Sequence, residues 1–174
     1  MDAYECVVTK LDVREYAQKR VPAEVKLKVL EAARLTASGV NRQHWKFILV
    51  QEKDNIKTLA ADSTSGSWVG KADFAVIVLT DPKLGFARID AGRAAQDMQL
   101  AAWNYGVVSC IYTGIADEKL RRDFAIPPAL QPTLVVGFGY PARKITGKKK
   151  NRKPLNEVAY LEKFGNAVEP GKLR

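Results

Sequence analysis

Few residues in this chain could do chemistry by themselves. His44 is the only histidine among 174 residues, so a multi-histidine metal centre cannot be built, and a Ser-His-Asp triad would have to use that one ring. Cys6 and Cys110 are the only cysteines and show no C-x-x-C spacing. A disulfide framework or zinc site is therefore not expected, and a reducing cytoplasm is the expected compartment. The cations are more telling. Twenty-eight Lys and Arg against 19 Asp and Glu give a formal charge of +9. Seven of the basic residues lie between Arg143 and Lys153, namely Arg143, Lys144, Lys148, Lys149, Lys150, Arg152 and Lys153, and without those seven the balance falls to +2. A local cluster of this kind suits a local anion: a phosphate group, a nucleic acid or an acidic partner, or else it is a solvated basic loop.

Those residues need elements to hold them. The chain is 47% hydrophobic and 27% charged, a balance that buries a core and excludes global disorder. No apolar run reaches the ~20 residues of a membrane span, and the acidic start Met1-Asp2-Ala3-Tyr4-Glu5 does not read as a signal peptide. The length suits one domain over residues 1–174.

Apolar spacing predicts a short helix over Asp2–Thr9 and a longer one over Pro22–Ala37, with Pro22 at its first position and Ser38-Gly39-Val40-Asn41 breaking it. Lys46–Val50 reads as a strand, and Asp54–Ala61 as a helix capped by Asp54. Asp62–Gly70 is small and polar and reads as a mobile loop. Phe74–Leu79 is a continuous apolar run, the pattern of a strand buried on both faces.

Asp90–Tyr105 carries the clearest helical period. Ala91, Ala94, Ala95, Met98, Ala101, Ala102 and Tyr105 share one face, a candidate subunit interface, and Gly106 ends the helix. Val107–Tyr112 and Thr133–Phe138 read as strands, with a helix over Asp117–Phe124 between them. A helix starts at Pro154, and Phe164–Arg174 reads as an extended arm. The layout is α+β, one sheet covered by helices.

Three segments, in order, resemble the FMN-dependent nitroreductase family. Lys10-Leu11-Asp12-Val13-Arg14-Glu15-Tyr16 is similar to the family's Arg-Arg-Ser-x-Arg-x-Tyr/Phe start. Ala32–Phe47, containing Ser38-Gly39-Val40-Asn41-Arg42-Gln43-His44-Trp45, is similar to its Ala-Pro-Ser-x-x-Asn-x-Gln-Pro-Trp run. Gly139-Tyr140-Pro141 followed by Lys150-Asn151-Arg152-Lys153-Pro154-Leu155-Asn156-Glu157 is similar to its Gly-Tyr-Pro and Lys-x-Arg-x-Pro-Leu-x-Glu.

The resemblance implies a mostly antiparallel sheet covered by helices and an intertwined homodimer with a C-terminal arm. One FMN would sit in each of two clefts at the subunit interface. Electrons would pass in ping-pong fashion from NADH or NADPH through FMN to a nitroaromatic, quinone or similar acceptor. By the same resemblance, Lys10, Leu11, Asp12 and Arg14, with Lys150 and Arg152, lie at the phosphate. Ser38, Gly39, Asn41 and Gln43 reach the partner subunit's flavin, and Thr113 and Gly114 bring backbone close to the ring. No side chain is needed as acid or base, because the flavin carries the chemistry. Trp45 and Cys110 read as packing residues.

The chain departs from the family at Asp12, where Ser is usual, at Leu11, and at His44, where Pro is usual. An ionised carboxylate cannot donate to a phosphate and repels it. Asp12 therefore turns away to pair with Arg14 or Lys10, or weakens flavin binding, or marks an altered anion role. Two further readings stand beside the flavoenzyme: a relative that has lost flavin, and a basic nucleic-acid-binding module, although no nucleic-acid motif is present.

Overall fold

The computed structural model describes residues 1–145 and 150–173. Elements follow in the order α1 (Ala3–Thr9), α2 (Ala23–Leu35), β1 (Lys46–Val50), α3 (Lys53–Ala61), β2 (Phe74–Thr80), α4 (Ala87–Asn104), β3 (Val108–Tyr112), α5 (Asp117–Asp123) and β4 (Gln131–Gly139). The strands form one antiparallel sheet in the order β1-β2-β4-β3.

Helices cover both faces of that sheet, and β2 shows why its sequence is apolar throughout. Phe74, Val76 and Val78 face the cluster built with α2 and α4, while Ala75, Ile77 and Leu79 face the cluster built with α3 and Tyr112. All seven residues are buried. A strand at the centre of a covered sheet has no solvent face, so period-2 alternation disappears. Phe74 and Phe138 are cross-strand partners with rings stacked at 4.7 Å.

Several local expectations are corrected. Pro22 stands at the N-cap of α2, one residue outside the helix, and α2 ends at Leu35. The N-cap of α3 is Glu52, without a side-chain cap, and Asp54 lies in the first turn, pairing with Lys57. The alanine face of α4 is not left bare for a partner. Ala91, Ala94, Ala95, Met98 and Ala102 bury against α2 and the sheet, and Tyr105 leaves the stripe at 38% exposed. Small side chains here let α2 and α4 approach within one chain.

The 62–70 segment is docked, not loose. Its 3-10 turn Ser67–Lys71 buries Val69, and the Thr64 amide donates to the Gly114 carbonyl at 2.7 Å. After Pro154 there is only a 3-10 turn, Leu155–Glu157. The final stretch folds back on itself, Leu161 donating to Asn166 and Val168 to Ala159, rather than running out straight. Among the described residues no helix is long and apolar enough to cross a membrane.

Candidate functional site

The segment after α1 is laid along the β3–β4 end of the sheet. Asp12 bridges Ser109 in parallel, and Tyr16 bridges Pro141. The Val13 amide donates to the Ser109 carbonyl at 3.0 Å, and the Ala17 amide to Tyr140 at 2.8 Å. Tyr16 sends its hydroxyl to the Gly137 carbonyl at 3.1 Å, and its ring lies where a Cβ on Gly139 would sit. Burial pushes the Tyr16 hydroxyl pKa up, so it remains a neutral donor. This backbone pairing fixes where the side chains of residues 10–14 emerge.

Lys10 is the central cation. Its residue is 8% exposed, and its ammonium contacts the Asp12 carboxylate at 2.6 Å. The same Asp12 oxygen accepts from the Gln99 amide at 3.2 Å, and Gln99 also donates to Ser109 Oγ at 3.0 Å. Asp12 has thus turned to pair with Lys10, the first of the three readings above, and the buried Gln99 of α4 holds it there. No acceptor other than Asp12 meets the Lys10 ammonium among the described residues, which leaves it donors to spare.

Lys150 and Arg152 come back to the same place. Lys150 donates to the Val7 carbonyl of α1. Burial lowers the Lys150 pKa, and the positive charges of Arg152 and Lys10 lower it further, while Asp12 opposes them. Three cations from two distant stretches of chain therefore repel one another across one small region. An anion seated among them relieves that repulsion, and a phosphate dianion suits the donor set. Arg143 lies near Glu15 at 3.5 Å, both exposed, so the basic run divides between uses. Lys148 and Lys149 lie outside the described residues.

Arg14 pairs with neither Glu15 nor Glu31; Glu31 is taken by Arg34 at 2.6 Å. The Arg14 guanidinium instead donates to Cys110 Sγ at 3.4 Å and lies 5.7 Å over the Trp68 ring. The Cys110 contact raises its pKa, so its charge is permanent. Residues 11–15 and 141–145 line a cleft of ≈ 600 Å³ beside it.

Trp68 is the residue that sequence reasoning missed. Its ring packs at 5.8 Å from Tyr112 and 6.3 Å from Tyr16, and its buried indole N–H has no acceptor. Few buried donors in folded proteins lack a partner, so this ring stands out beside the Arg14 guanidinium. In the sequence it stood alone in a polar stretch, with no periodic neighbour to announce it.

Thr113 and Gly114 follow the end of β3. Gly114 faces the docked 62–70 segment: a Cβ there would lie 2.3 Å from Ser65 Oγ and 2.5 Å from Thr64 Oγ1. Leu11 is half-buried at the mouth of the cleft. Trp45 is core, at 6% exposed.

Ser38, Gly39, Asn41 and Gln43 are not gathered with the cations. Their loop is anchored to Asp90 near the start of α4, where the Gly39 amide donates to the carboxylate at 2.9 Å. Asp12 is anchored to Gln99 on the same helix. Nine residue steps along the helix separate the two anchors, about 14 Å at 1.5 Å per residue. Asn41 and Gln43 are exposed.

The Nitroreductase family model matches residues 9–83 and 67–140. A Methanothermobacter thermautotrophicus protein bearing an NADH dehydrogenase/NAD(P)H nitroreductase name is 33% identical over 151 residues, covering 82% of this chain and 78% of that protein. A nitroreductase family protein from Clostridium difficile 630 superposes with a TM-score of 0.82 at 28% identity, covering 94% of this chain and 99% of the other. The FMN-dependent nitroreductase of Clostridium difficile R20291 has the same fold, with a TM-score of 0.84 at 24% identity and 91% and 98% coverage. Sequence and fold agree: the chain belongs to the nitroreductase family of oxidoreductases.

Proposed function

We propose that the chain is an FMN-dependent oxidoreductase, one domain throughout, that takes electrons from NADH or NADPH and passes them to a nitroaromatic, quinone or similar acceptor. The observation that carries the reading is the convergence of Lys10, Lys150 and Arg152 on one region short of negative charge. In this reading they and Arg14 hold the FMN phosphate. Asp12 does not face the phosphate as a bare carboxylate, because Lys10 and Gln99 occupy it. When bound, FMN supplies reversible two-electron chemistry, and the donor and the acceptor use the same cleft in turn.

The chain's own residues bind, orient and exclude water. Thr113 and Gly114 bring backbone close to the ring, where an N–H stabilises developing negative charge without any acid or base. Arg14 lines the cleft, and Trp68 backs its guanidinium. Leu11 shields the mouth of the cleft.

Ser38, Gly39, Asn41 and Gln43 belong, in this reading, to the flavin site of the partner subunit of a homodimer. The separation of their loop from the cations within one chain supports that assignment. So does apolar surface: Phe164 is 90% exposed, Leu35 66%, Leu27 65% and Leu155 65%. Bare apolar side chains of this size are compatible with self-association. Two free, buried cysteines suit the reducing cytoplasm.

The test is the visible spectrum of purified protein incubated with FMN and desalted. A retained flavin spectrum that bleaches anaerobically with NADH or NADPH supports the reading. A colourless protein after every reconstitution overturns it.

A further inference from the structure

The loop carrying Ser38, Asn41 and Gln43 is held in a shape its own residues resist. Val40, Asn41 and Gln43 have φ of 43°, 55° and 48°. This left-handed region is uncommon for any non-glycine residue and a genuine outlier for β-branched valine. Val40 is also 84% exposed, so packing of its side chain does not offset the cost. Strain that persists in an exposed loop is offset by contacts around it, and such strain gathers at functional sites.

The holding contacts come from a buried pair. Asp90 Oδ2 accepts from the Gly39 amide at 2.9 Å and meets His44 Nε2 at 3.2 Å. On the far side of the ring, His44 Nδ1 accepts from the Asp81 amide at 3.4 Å. The side chains of His44 and Asp90 are 5% and 2% exposed. These two contacts select one form of the imidazole: neutral, with its proton on Nε2 and donated to Asp90. The Phe86 ring stands edge-on to His44 at 5.8 Å, and it fills the place of a Cβ on Gly39, so the loop base lies flat against it. Within the loop, the Gln43 amide donates to Ser38 Oγ at 2.9 Å.

We infer that His44 and Asp90 form a positioning clamp. The Nε2 proton fixes the Asp90 carboxylate, the carboxylate fixes the Gly39 amide, and the Ser38–Gln43 loop is thereby kept in the strained shape that presents Asn41 and Gln43 to the flavin of the partner subunit. The inference rests on the functional reading above. Neither residue is catalytic, since both act through the loop.

His44 is the only histidine, so its ring nitrogens give the only histidine signals in a ¹⁵N spectrum of the full chain. The expected pattern is a fixed Nε2–H tautomer; an Nδ1–H tautomer, or averaging between the two, overturns the clamp without any variant having to fold. FMN release is then timed. His44→Ala is expected to release FMN about tenfold faster, the scale of losing a hydrogen bond to a charged group. His44→Gln, which keeps an amide donor in the place of Nε2, is expected to release it at close to the wild-type rate. Adding His44→Ala to the Asn41→Ala, Gln43→Ala pair is expected to change little beyond that pair alone, because the clamp acts through those two side chains.

Equal effects of Ala and Gln at position 44, or full additivity with the Asn41→Ala, Gln43→Ala pair, overturn the clamp, since a purely structural histidine would behave in those ways. Wild-type protein that binds no FMN overturns the functional reading and the clamp with it. Wild-type binding with an unchanged release rate in His44→Ala overturns the clamp alone.

Discussion

The Lys10 ammonium and the Asp12 carboxylate lie 2.6 Å apart, and Gln99 donates to the same carboxylate oxygen. A residue whose type opposes phosphate binding is thereby made the partner of the lysine proposed to hold the phosphate. Asp12 is still 61% exposed along its side chain, so its charge is reduced locally and not erased. Replacing it with serine frees Lys10 and removes one negative charge. The expected result for Asp12→Ser is FMN affinity about fivefold tighter, roughly 1 kcal/mol at a largely solvated separation, measured by fluorescence titration at low salt. A marked loss of affinity would mean that Asp12 organises the site more than it repels the ligand.

Lys150 and Arg152 test the phosphate assignment directly. Charge-assisted hydrogen bonds are the strong ones, so Lys150→Ala with Arg152→Ala should weaken FMN binding by about 3 kcal/mol, or some hundredfold. The remaining affinity should also depend less steeply on salt. Unchanged affinity in the double variant would remove these residues from the site.

Gly114 faces side chains of the docked 62–70 segment. A methyl group there would lie 2.3 Å from Ser65 Oγ and 2.9 Å from Ser65 Cβ. Gly114→Ala should therefore push the two turns apart and cost about 1–3 kcal/mol of stability. Thermal unfolding checks it, and an unshifted Tm would mean that the turn yields freely.

Asp62 gives a pH signature. It is 4% exposed, one of its oxygens has no partner, and burial followed by the neighbouring Asp123 raises its pKa above the ordinary 3.8. The folded protein then binds this proton more tightly than the unfolded chain does. Its favourable contribution is present below the ordinary carboxylate pKa and is lost as pH rises through the raised value. Asp62→Asn, which can donate to Asp123, should stabilise the protein by about 1 kcal/mol at pH 7, and the gain should vanish in acid. Urea unfolding at pH 7 and near pH 4 checks both halves.

Phe164 is 90% exposed and touches Tyr160 at 4.5 Å within the folded-back tail. If this tail reaches a partner subunit, Phe164→Asp should shift sedimentation towards monomer and reduce FMN retention together. Unchanged sedimentation in the variant would take Phe164 out of any subunit interface.

Much of the fold was legible because it depends on local chemistry. Lys46–Val50 is a strand where its β-branched and aromatic residues predict one, and the continuous apolar run at Phe74 reports burial on both faces. The period of Ala91, Ala94, Ala95, Met98 and Ala102 names the buried face of α4. It cannot name what covers that face, and the cover turned out to be the chain's own α2 and sheet. The segment after Pro154 reads as a helix and forms only a 3-10 turn, since a proline and a few good helix formers permit a helix but do not supply the packing that sustains one.

The residue types of the site were set by the sequence: clustered cations for an anion, amides on a helix-breaking loop, a glycine after a buried strand. Their partnerships were decided only by tertiary structure. Lys10 and Lys150 are 140 positions apart, and they meet because the chain after β4 returns to α1. Asp12 changes from an obstacle to an ion-pair partner because α4 brings Gln99 to it, and His44 becomes a clamp because the same helix brings Asp90. Electrostatic and hydrogen-bond energies fall off over a few ångströms, so they depend on spatial neighbours that sequence spacing does not specify.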